Sequence, residues 1–199
     1  MVTLGLDAST TCVGYAFTKD KKILDMGFID IKKEKTPKDK VQKVLGFLNE
    51  SSYIDGVIDI NIEDNLSGFA GGRTSQQVII KLAKFNAILC FMLEEMFDYE
   101  VHNINPMTAR KNVLGKARVK GLKAKDFVKR EIEKMYNTKK WCKETTRGNW
   151  DKRNIDMYDG LVMSLFEKKA WFLHKFVVNC LNYKLGVLYA DIFTIFKFS

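Results

Sequence analysis

Residues 2–7 read VTLGLD and residues 11–18 read TCVGYAFT, with the small residues AST between them. Both segments are apolar and rich in β-forming residues, which predicts two strands joined by a tight turn. A third strand is predicted at 23–31, after a turn at Asp20-Lys21-Lys22. Three strands with such short connections favour an antiparallel meander, and the first strand ends at an acid, Asp7.

Apolar periodicity predicts the elements that follow the meander. Strands are expected at 56–62 and 100–104, a short helix after Pro106, and longer helices at 38–50, 75–97, 124–136 and 154–169. This order is typical of an α/β fold. We expect a mixed five-stranded sheet, built from an antiparallel three-stranded meander plus parallel strands, with helices on both faces.

The chain has 199 residues, which is long enough for one sizeable core but short for two independent domains. We expect one domain at 1–169 and a C-terminal apolar appendage at 170–199, packed on the domain or at an interface. Polar residues interrupt the appendage, which disfavours a membrane-spanning helix, and no membrane partner is expected. They are Lys175, Asn179, Asn182, Lys184 and Asp191.

Cysteine and histidine usage disfavours a structural zinc site. The four cysteines include no C-x-x-C pair, and the chain has two histidines. No charged segment followed by an apolar one precedes the first strand, so no secretory signal is expected. These features predict reduced thiols and a cytoplasmic location.

Positive charge is concentrated in one block. The formal net charge is +9, and residues 107–153 hold 16 Lys and Arg against 5 Asp and Glu. Such a block attracts nucleic acids because bound phosphates release counterions, although a solvated lysine-rich face is the simpler interpretation. The DNA-binding candidates lie on or just after a loop bounded by Gly115 and Gly121, where flexible cations can follow a phosphate backbone. They are Lys116, Arg118, Lys120 and Lys123.

Four acids occupy strand ends and one helix face. Asp7 ends the first strand and Glu63 the fourth, so parallel pairing of these strands would bring the two side chains together. Asp156 and Asp159 are three residues apart and share a helix face. Four converging carboxylates need cations, and Mg²⁺, with Mn²⁺ as a substitute, is the hard ion that such oxygens bind. Two ions about 3.5–4 Å apart would suit phosphodiester hydrolysis.

Each acid also has a simpler interpretation. Asp7 could be a turn residue after a strand, and Glu63 a solvated loop acid beside Asp64. Asp156 and Asp159 could be first-turn acids that interact with the helix dipole. No acid taken alone identifies a metal site.

Three segments resemble, in order, the motifs of RuvC-type Holliday-junction resolvases of the ribonuclease H-like superfamily. The first motif, an apolar strand ending in Asp, resembles LGLDASTTCVGYAF at 4–17. The second, a strand-terminal Glu with a loop and a long helix, resembles NIEDNLSGFAGGRTSQQVIIKLAKFNAIL at 61–89. The closing D-x-x-D helix resembles IDMYDGLVMSL at 155–165. The Gly-rich stretch after Glu63 is most similar to resolvase-like proteins of phages and large viruses.

The resemblance implies a magnesium-dependent endodeoxyribonuclease that resolves four-way DNA junctions in recombination and repair. Two Mg²⁺ ions would be the cofactor, and branched DNA the partner. Family members are homodimers, which here implies pairing through the helix at 75–97. The residues implied for both metal binding and catalysis are Asp7, Glu63, Asp156 and Asp159.

Two residues after Glu63 complete the expected DNA-binding set. The family's loop carries an aromatic that stacks at the junction, which implies Phe69, with an ordinary loop hydrophobe as the alternative. Arg73 lies beside the helix N-terminus, where it could hold a phosphate near the metals. A phage-encoded protein of this kind would act in the host cytoplasm.

The sequence is also compatible with three other functions. The segment at 4–16 also resembles the first phosphate motif of sugar kinases and actin-like ATPases, although Ser9 replaces a glycine and such proteins need two lobes. A flap, fork or RNA–DNA hybrid nuclease of the same fold is a second alternative. A third is a DNA-binding protein that keeps the fold without turnover.

Overall fold

The structure, a computed structural model, describes residues 1–64 and 75–167. In these ranges the strands are β1 (Val2–Ala8), β2 (Cys12–Lys19), β3 (Lys22–Asp30), β4 (Val57–Glu63) and β5 (Val101–Ile104). The α-helices are α1 (Pro37–Asn49), α2 (Gln76–Phe97), α3 (Pro106–Leu114), α4 (Ala124–Met135) and α5 (Asn154–Leu165). The predicted appendage at 170–199 lies outside the described residues.

The five strands form one sheet in the order β3-β2-β1-β4-β5. The β1–β2 and β2–β3 pairs are antiparallel, which confirms the meander, and the β1–β4 and β4–β5 pairs are parallel. Strand β1 therefore lies at the centre, between its hairpin partner β2 and the parallel strand β4. The mixed five-stranded sheet predicted from the sequence is confirmed.

One face of the sheet packs against α1 and α2. Alternate residues of the strands, among them Leu4 and Leu6, join Val44 of α1 and Phe85 and Leu89 of α2 in one buried cluster. Helix α1 begins with a capping box in which Thr36 accepts a hydrogen bond from the Asp39 N–H and Asp39 accepts one from the Thr36 N–H. These helices cover the face opposite to the acids.

The other face packs against α5 at unusually close range. A Cβ atom placed on Gly14 would lie 1.9 Å from the carbonyl oxygen of Asp156, and one on Gly5 would lie 2.1 Å from the Ser164 nitrogen. The helix contributes Gly160, whose added Cβ would lie 2.9 Å from the Gly14 carbonyl carbon. Helix and sheet backbones can approach this closely only because these positions carry no side chain.

Helix α5 ends at Leu165 and not at residue 169, so the predicted C-terminal boundary is wrong. Phe166 has an extended backbone, with φ −69° and ψ 122°. Two polar side chains of the sheet bind carbonyls of the last turn: Thr18 donates to Ser164 O at 3.0 Å and Asn61 to Met163 O at 3.2 Å. These hydrogen bonds satisfy carbonyls that a longer helix would have used internally.

Candidate metal centre

Three acids from distant parts of the chain meet at one end of the central strands. Leu6 of β1 pairs with Ile62 of β4, so the next residues, Asp7 and Glu63, are neighbours across the parallel pair. Asp159 approaches from α5. Carboxylate oxygens of Asp7, Glu63 and Asp159 all lie within 4.8 Å of one another. Asp7 and Asp159 are 6% and 1% exposed, so bulk water does not separate these charges.

The acids disfavour one another's ionisation. Burial, followed by repulsion from Glu63 and Asp159, raises the pKa of Asp7 well above its usual value. Burial and the charge of Asp159 raise the pKa of Glu63 to about 7. Burial also raises the pKa of Asp159, although Arg110 and Lys125 oppose this rise. Such perturbed carboxyl groups are typical of sites that hold cations.

Asp156 differs from the other three acids. Its side chain is 17% exposed, and its Oδ1 lies 2.5 Å from Lys125 Nζ. The sequence predicted that four carboxylates would converge, but the 4.8 Å group has three members and Asp156 is not among them. The reason is its place in the first turn of α5, where Lys125 on α4 is its direct partner.

Two cations that were not predicted from the sequence contact the acids. Arg110 of α3 donates from Nη2 to Asp159 Oδ1 at 2.9 Å, and the same nitrogen lies 4.0 Å from Glu63 Oε2. Burial lowers the pKa of Arg110, but the negative charges of Asp159 and Glu63 outweigh the effect of burial, so the pKa is raised. In Lys125, likewise, Asp7 and Asp156 outweigh burial and raise the pKa. Both side chains stay charged at neutral pH.

The donor set fits a hard divalent cation. Glu63 Oε2 is buried and accepts no hydrogen bond, so it has capacity for a ligand. Grouped carboxylate oxygens are the ligands that Mg²⁺ and Mn²⁺ bind in proteins. The three clustered acids could hold such an ion, and Asp156, in the turn before Asp159, could add an oxygen from the same helix.

The predicted DNA-binding residues divide into two groups. Lys116, Arg118, Lys120 and Lys123 are exposed in the connection between α3 and α4. Gly115 and Gly121 bound this loop with positive φ values of 76° and 81°, which glycine adopts without strain. Phe69 and Arg73 lie outside the described residues.

Solved structures with a similar fold include RuvC of Thermus thermophilus. One, in complex with Holliday junction substrate, matches with a TM-score of 0.54 and 11% identity over 83% of this chain and 90% of that chain. Another Thermus thermophilus RuvC structure matches with a TM-score of 0.54 and 14% identity over 83% of this chain and 92% of that chain. A ROK hexokinase from the same organism has a TM-score of 0.37, with 59% of this chain and 39% of that chain covered. No protein-family model and no curated protein matches the sequence.

The structural likeness and the topology agree. The meander, the two parallel strands and the closing helix over the sheet occur in the order that the sequence motifs predicted. The chain therefore has the RuvC-type, ribonuclease H-like fold.

Proposed function

We propose that this chain is a structure-selective DNA endonuclease that cleaves four-way junctions. The observation that carries the proposal is the buried group of Asp7, Glu63 and Asp159, whose oxygens lie within 4.8 Å of one another. Arg110 and Lys125 do not fully offset the repulsion among these acids, because the pKa values of all three stay raised, and a bound cation would let them ionise together. A site of this kind on this fold is best explained by metal-dependent hydrolysis of a phosphodiester.

The metal ligands in this proposal are Asp7, Glu63, Asp156 and Asp159, and the cofactor is a pair of Mg²⁺ ions that Mn²⁺ could replace. Bound ions would supply Lewis acidity for water activation and for the leaving 3′ oxygen. Arg110 orients Asp159 and faces Glu63, so it keeps both carboxylates in place. Lys125 carries a positive charge beside Asp156, where a backbone phosphate would approach.

Branched DNA is the proposed substrate, and a homodimer the proposed active form. The exposed loop with Lys116, Arg118, Lys120 and Lys123 lies directly before α4, the helix that carries Lys125. A four-way junction has two opposed strands to cut, which a two-fold symmetric pair of sites could reach together. Helix α2, with exposed Ile80 and Phe91, is the proposed dimer contact.

A cleavage assay tests the proposal. Purified protein is incubated with labelled four-way junction, duplex, flap and RNA–DNA hybrid, with and without Mg²⁺. We expect symmetric nicks in the junction that require the metal. Cleavage of the hybrid or the flap alone would replace the junction as substrate, and binding without cleavage of any DNA would favour a non-catalytic role.

Asp7→Asn tests the metal site itself. Mutation of a residue that only hydrogen-bonds to a metal ligand lowers activity by about 10–100-fold. Loss of a ligand itself should therefore slow cleavage by at least about 100-fold, while junction binding persists. Asp55→Asn is the matched control, since Asp55 is exposed near the start of β4, at the end opposite to Glu63. Normal cleavage by Asp7→Asn, or equal losses in both variants, would contradict the metal site.

A further inference from the structure

A β-hairpin lies between α4 and α5, in a segment for which the sequence predicted no element. Residues 143–151, here called the basic hairpin, contain an antiparallel bridge between Glu144 and Trp150. Its tip is closed by hydrogen bonds from Thr145 N to Asn149 O at 2.7 Å and from Gly148 N to Thr145 O at 2.9 Å. Gly148 has a φ of +74°, as a three-residue hairpin loop requires at this position.

The base of the basic hairpin is fastened to the helix that carries the acids. Asn154, fully buried as the first residue of α5, accepts from Lys143 N at 2.9 Å and donates to Lys143 O at 2.7 Å. Asp151 N also donates to Lys143 O, at 3.1 Å. Asp156 lies two residues after Asn154 in the sequence. The hairpin is therefore held at a fixed position beside the first turn of α5.

Helix α4 lies between the basic hairpin and the basic loop that is bounded by Gly115 and Gly121. Lys123 is the residue directly before α4. Lys125, two residues later in the first turn of the helix, contacts Asp156. Lys129, one turn further along the same face, lies over the ring of Trp150 at 5.7 Å from its centroid. Loop, candidate metal centre and hairpin thus follow one another along α4.

The charge of the basic hairpin and its flanks suits a polyanion. Arg153 neutralises Asp151, with Nη2 and Oδ2 2.5 Å apart, and it also contacts Asp30. Arg147 at the tip and Lys152 are exposed, and neither forms an ion pair within residues 1–64 and 75–167. Residues 139–153 contain six cations and two acids. These are Lys139, Lys140, Lys143, Arg147, Lys152 and Arg153, and Glu144 and Asp151.

We propose that the basic hairpin and the adjoining Lys152 bind the phosphate backbone of a duplex arm of the DNA substrate, with Arg147 and Lys152 as the phosphate contacts. Its fixed base would hold that arm beside the acids, while the loop at 116–123 holds DNA on the other side of Lys125. Backbone contacts of this type position a duplex without reading its sequence. This inference rests on the proposed function for the identity of the polyanion.

The test measures how salt affects binding of a labelled four-way junction, without divalent metal so that no cleavage occurs. Each phosphate contact contributes about 0.9 to the slope of log K against log salt concentration. Arg147→Gln/Lys152→Gln should therefore reduce the slope by about 2 and weaken binding irrespective of sequence. The charge-conserving variant Arg147→Lys/Lys152→Arg should keep a slope close to that of the wild type.

Lys19→Gln/Lys22→Gln is the matched control. It removes the same charge from exposed residues at the opposite end of the meander, since Lys19 pairs with Val2 and Asp7 with Gly14. A wild-type slope in the hairpin variant, or equal slope changes in both double variants, would overturn the proposed contact. Circular dichroism and thermal unfolding verify that each variant is folded.

Failure of this inference is distinguishable from failure of the proposed function. Normal metal-dependent cleavage with an unchanged slope would refute only the hairpin contact. A reduced slope in a protein that cleaves no DNA would refute only the nuclease. A wild-type protein that does not bind branched DNA would overturn both.

Discussion

Glu63 links the protonation of the site to the stability of the fold. Burial and Asp159 raise its pKa to about 7 in the folded protein, against a usual value of 4.5. The folded state therefore retains a proton that the unfolded chain has already lost. In the absence of metal, the stability that this proton provides is complete below about pH 4.5 and is lost as the pH rises through about 7. Asp7 and Asp159, whose pKa values are also raised, change stability in the same direction.

We predict that the melting temperature of the metal-free protein falls between pH 5 and pH 8. For a chain of this size, 1 kcal/mol changes Tm by about 2–4 °C, so calorimetry can measure the effect. Mg²⁺ should raise Tm more at pH 8 than at pH 5, because ionised acids bind it better. Glu63→Gln should reduce the pH dependence of Tm, and the remainder would come from Asp7 and Asp159. A metal-free Tm that is constant or rises over this range would contradict the prediction.

The sequence predicted the acids of the site better than its cations. Asp7 and Glu63 each end a predicted strand, so one assumption, parallel pairing of these strands, was enough to place them together, and the structure shows that pairing. Arg110 and Lys125 lie within a basic block of 16 Lys and Arg, and nothing in their spacing separates them from the others. Their contacts with Asp159 and Asp156 depend on how α3 and α4 pack against α5, which local pattern does not encode.

At the scale of the element, the separation between α5 and the sheet determines where the helix acids lie. Gly5 and Gly14 leave no side chain between the two backbones, and Thr18 and Asn61 bind the last turn of the helix. The register of α5 over β1 and β2 is thus fixed at both ends. A side chain at position 14 must displace the turn that carries Asp156, and one at position 5 must displace the turn that carries Ser164.

We predict that Gly14→Ala is destabilising, because its Cβ would lie 1.9 Å from the Asp156 carbonyl oxygen. Overpacking against backbone costs about 1–3 kcal/mol or more, measured as a lower midpoint of urea unfolding. Gly46→Ala is the control: Gly46 lies within α1 with no atom within 4 Å of an added Cβ. That variant should gain about 0.5–1 kcal/mol from helix propensity. Equal stability of both variants would show that α5 does not pack this closely.

Element boundaries show where sequence patterns lose information. The strands of the meander follow the alternation of apolar residues, and the predicted bounds agree with the structure to within one residue. The end of α5 does not, since the apolar pattern continues beyond Leu165 while Thr18 and Asn61 bind the carbonyls of its last turn. The basic hairpin was missed because its strands contain few residue pairs and its polar composition is typical of a loop.

At the scale of the whole molecule, α2 presents apolar side chains to solvent. Ile80 and Phe91 are 53% and 58% exposed, and Ile88 and Met92 are 37% exposed. By length and composition α2 could also cross a membrane, with a mean hydropathy of 1.4 and 28% of that window buried. Its other side, however, contributes Phe85 and Leu89 to the core against the sheet. A helix fixed to the sheet in this way favours a second protein surface as the cover for its exposed side.

We predict that the protein is a dimer in detergent-free buffer and that Phe91→Glu shifts it towards monomer. Burying a charge in the centre of an apolar interface costs more free energy than the apolar contact contributes. Sedimentation velocity at several concentrations would measure the resulting shift towards monomer. Met135→Glu, which adds the same charge at an exposed methionine at the end of α4, should leave the dimer intact. A monomeric wild-type protein at tens of micromolar would refute pairing through α2.

The mixed sheet, with its antiparallel meander and its parallel strands, was the global feature that the sequence predicted well. Short connections required neighbouring antiparallel strands in the meander, whereas parallel pairing of β1 with β4 was a condition of the predicted acid cluster that the structure meets. The oligomeric state and the geometry of bound DNA could not be derived in the same way, because both depend on contacts with a second molecule.

The central position of β1 also affects how the molecule opens. Its residues 2–6 are bonded to β2 on one side and β4 on the other. Thermal fluctuations that expose backbone amides begin at chain ends, loops and edge strands, and reach a doubly bonded central strand last. Asp7 directly follows this stretch. Partial unfolding would therefore detach the edge strands β3 or β5 before it displaced the Asp7 carboxylate.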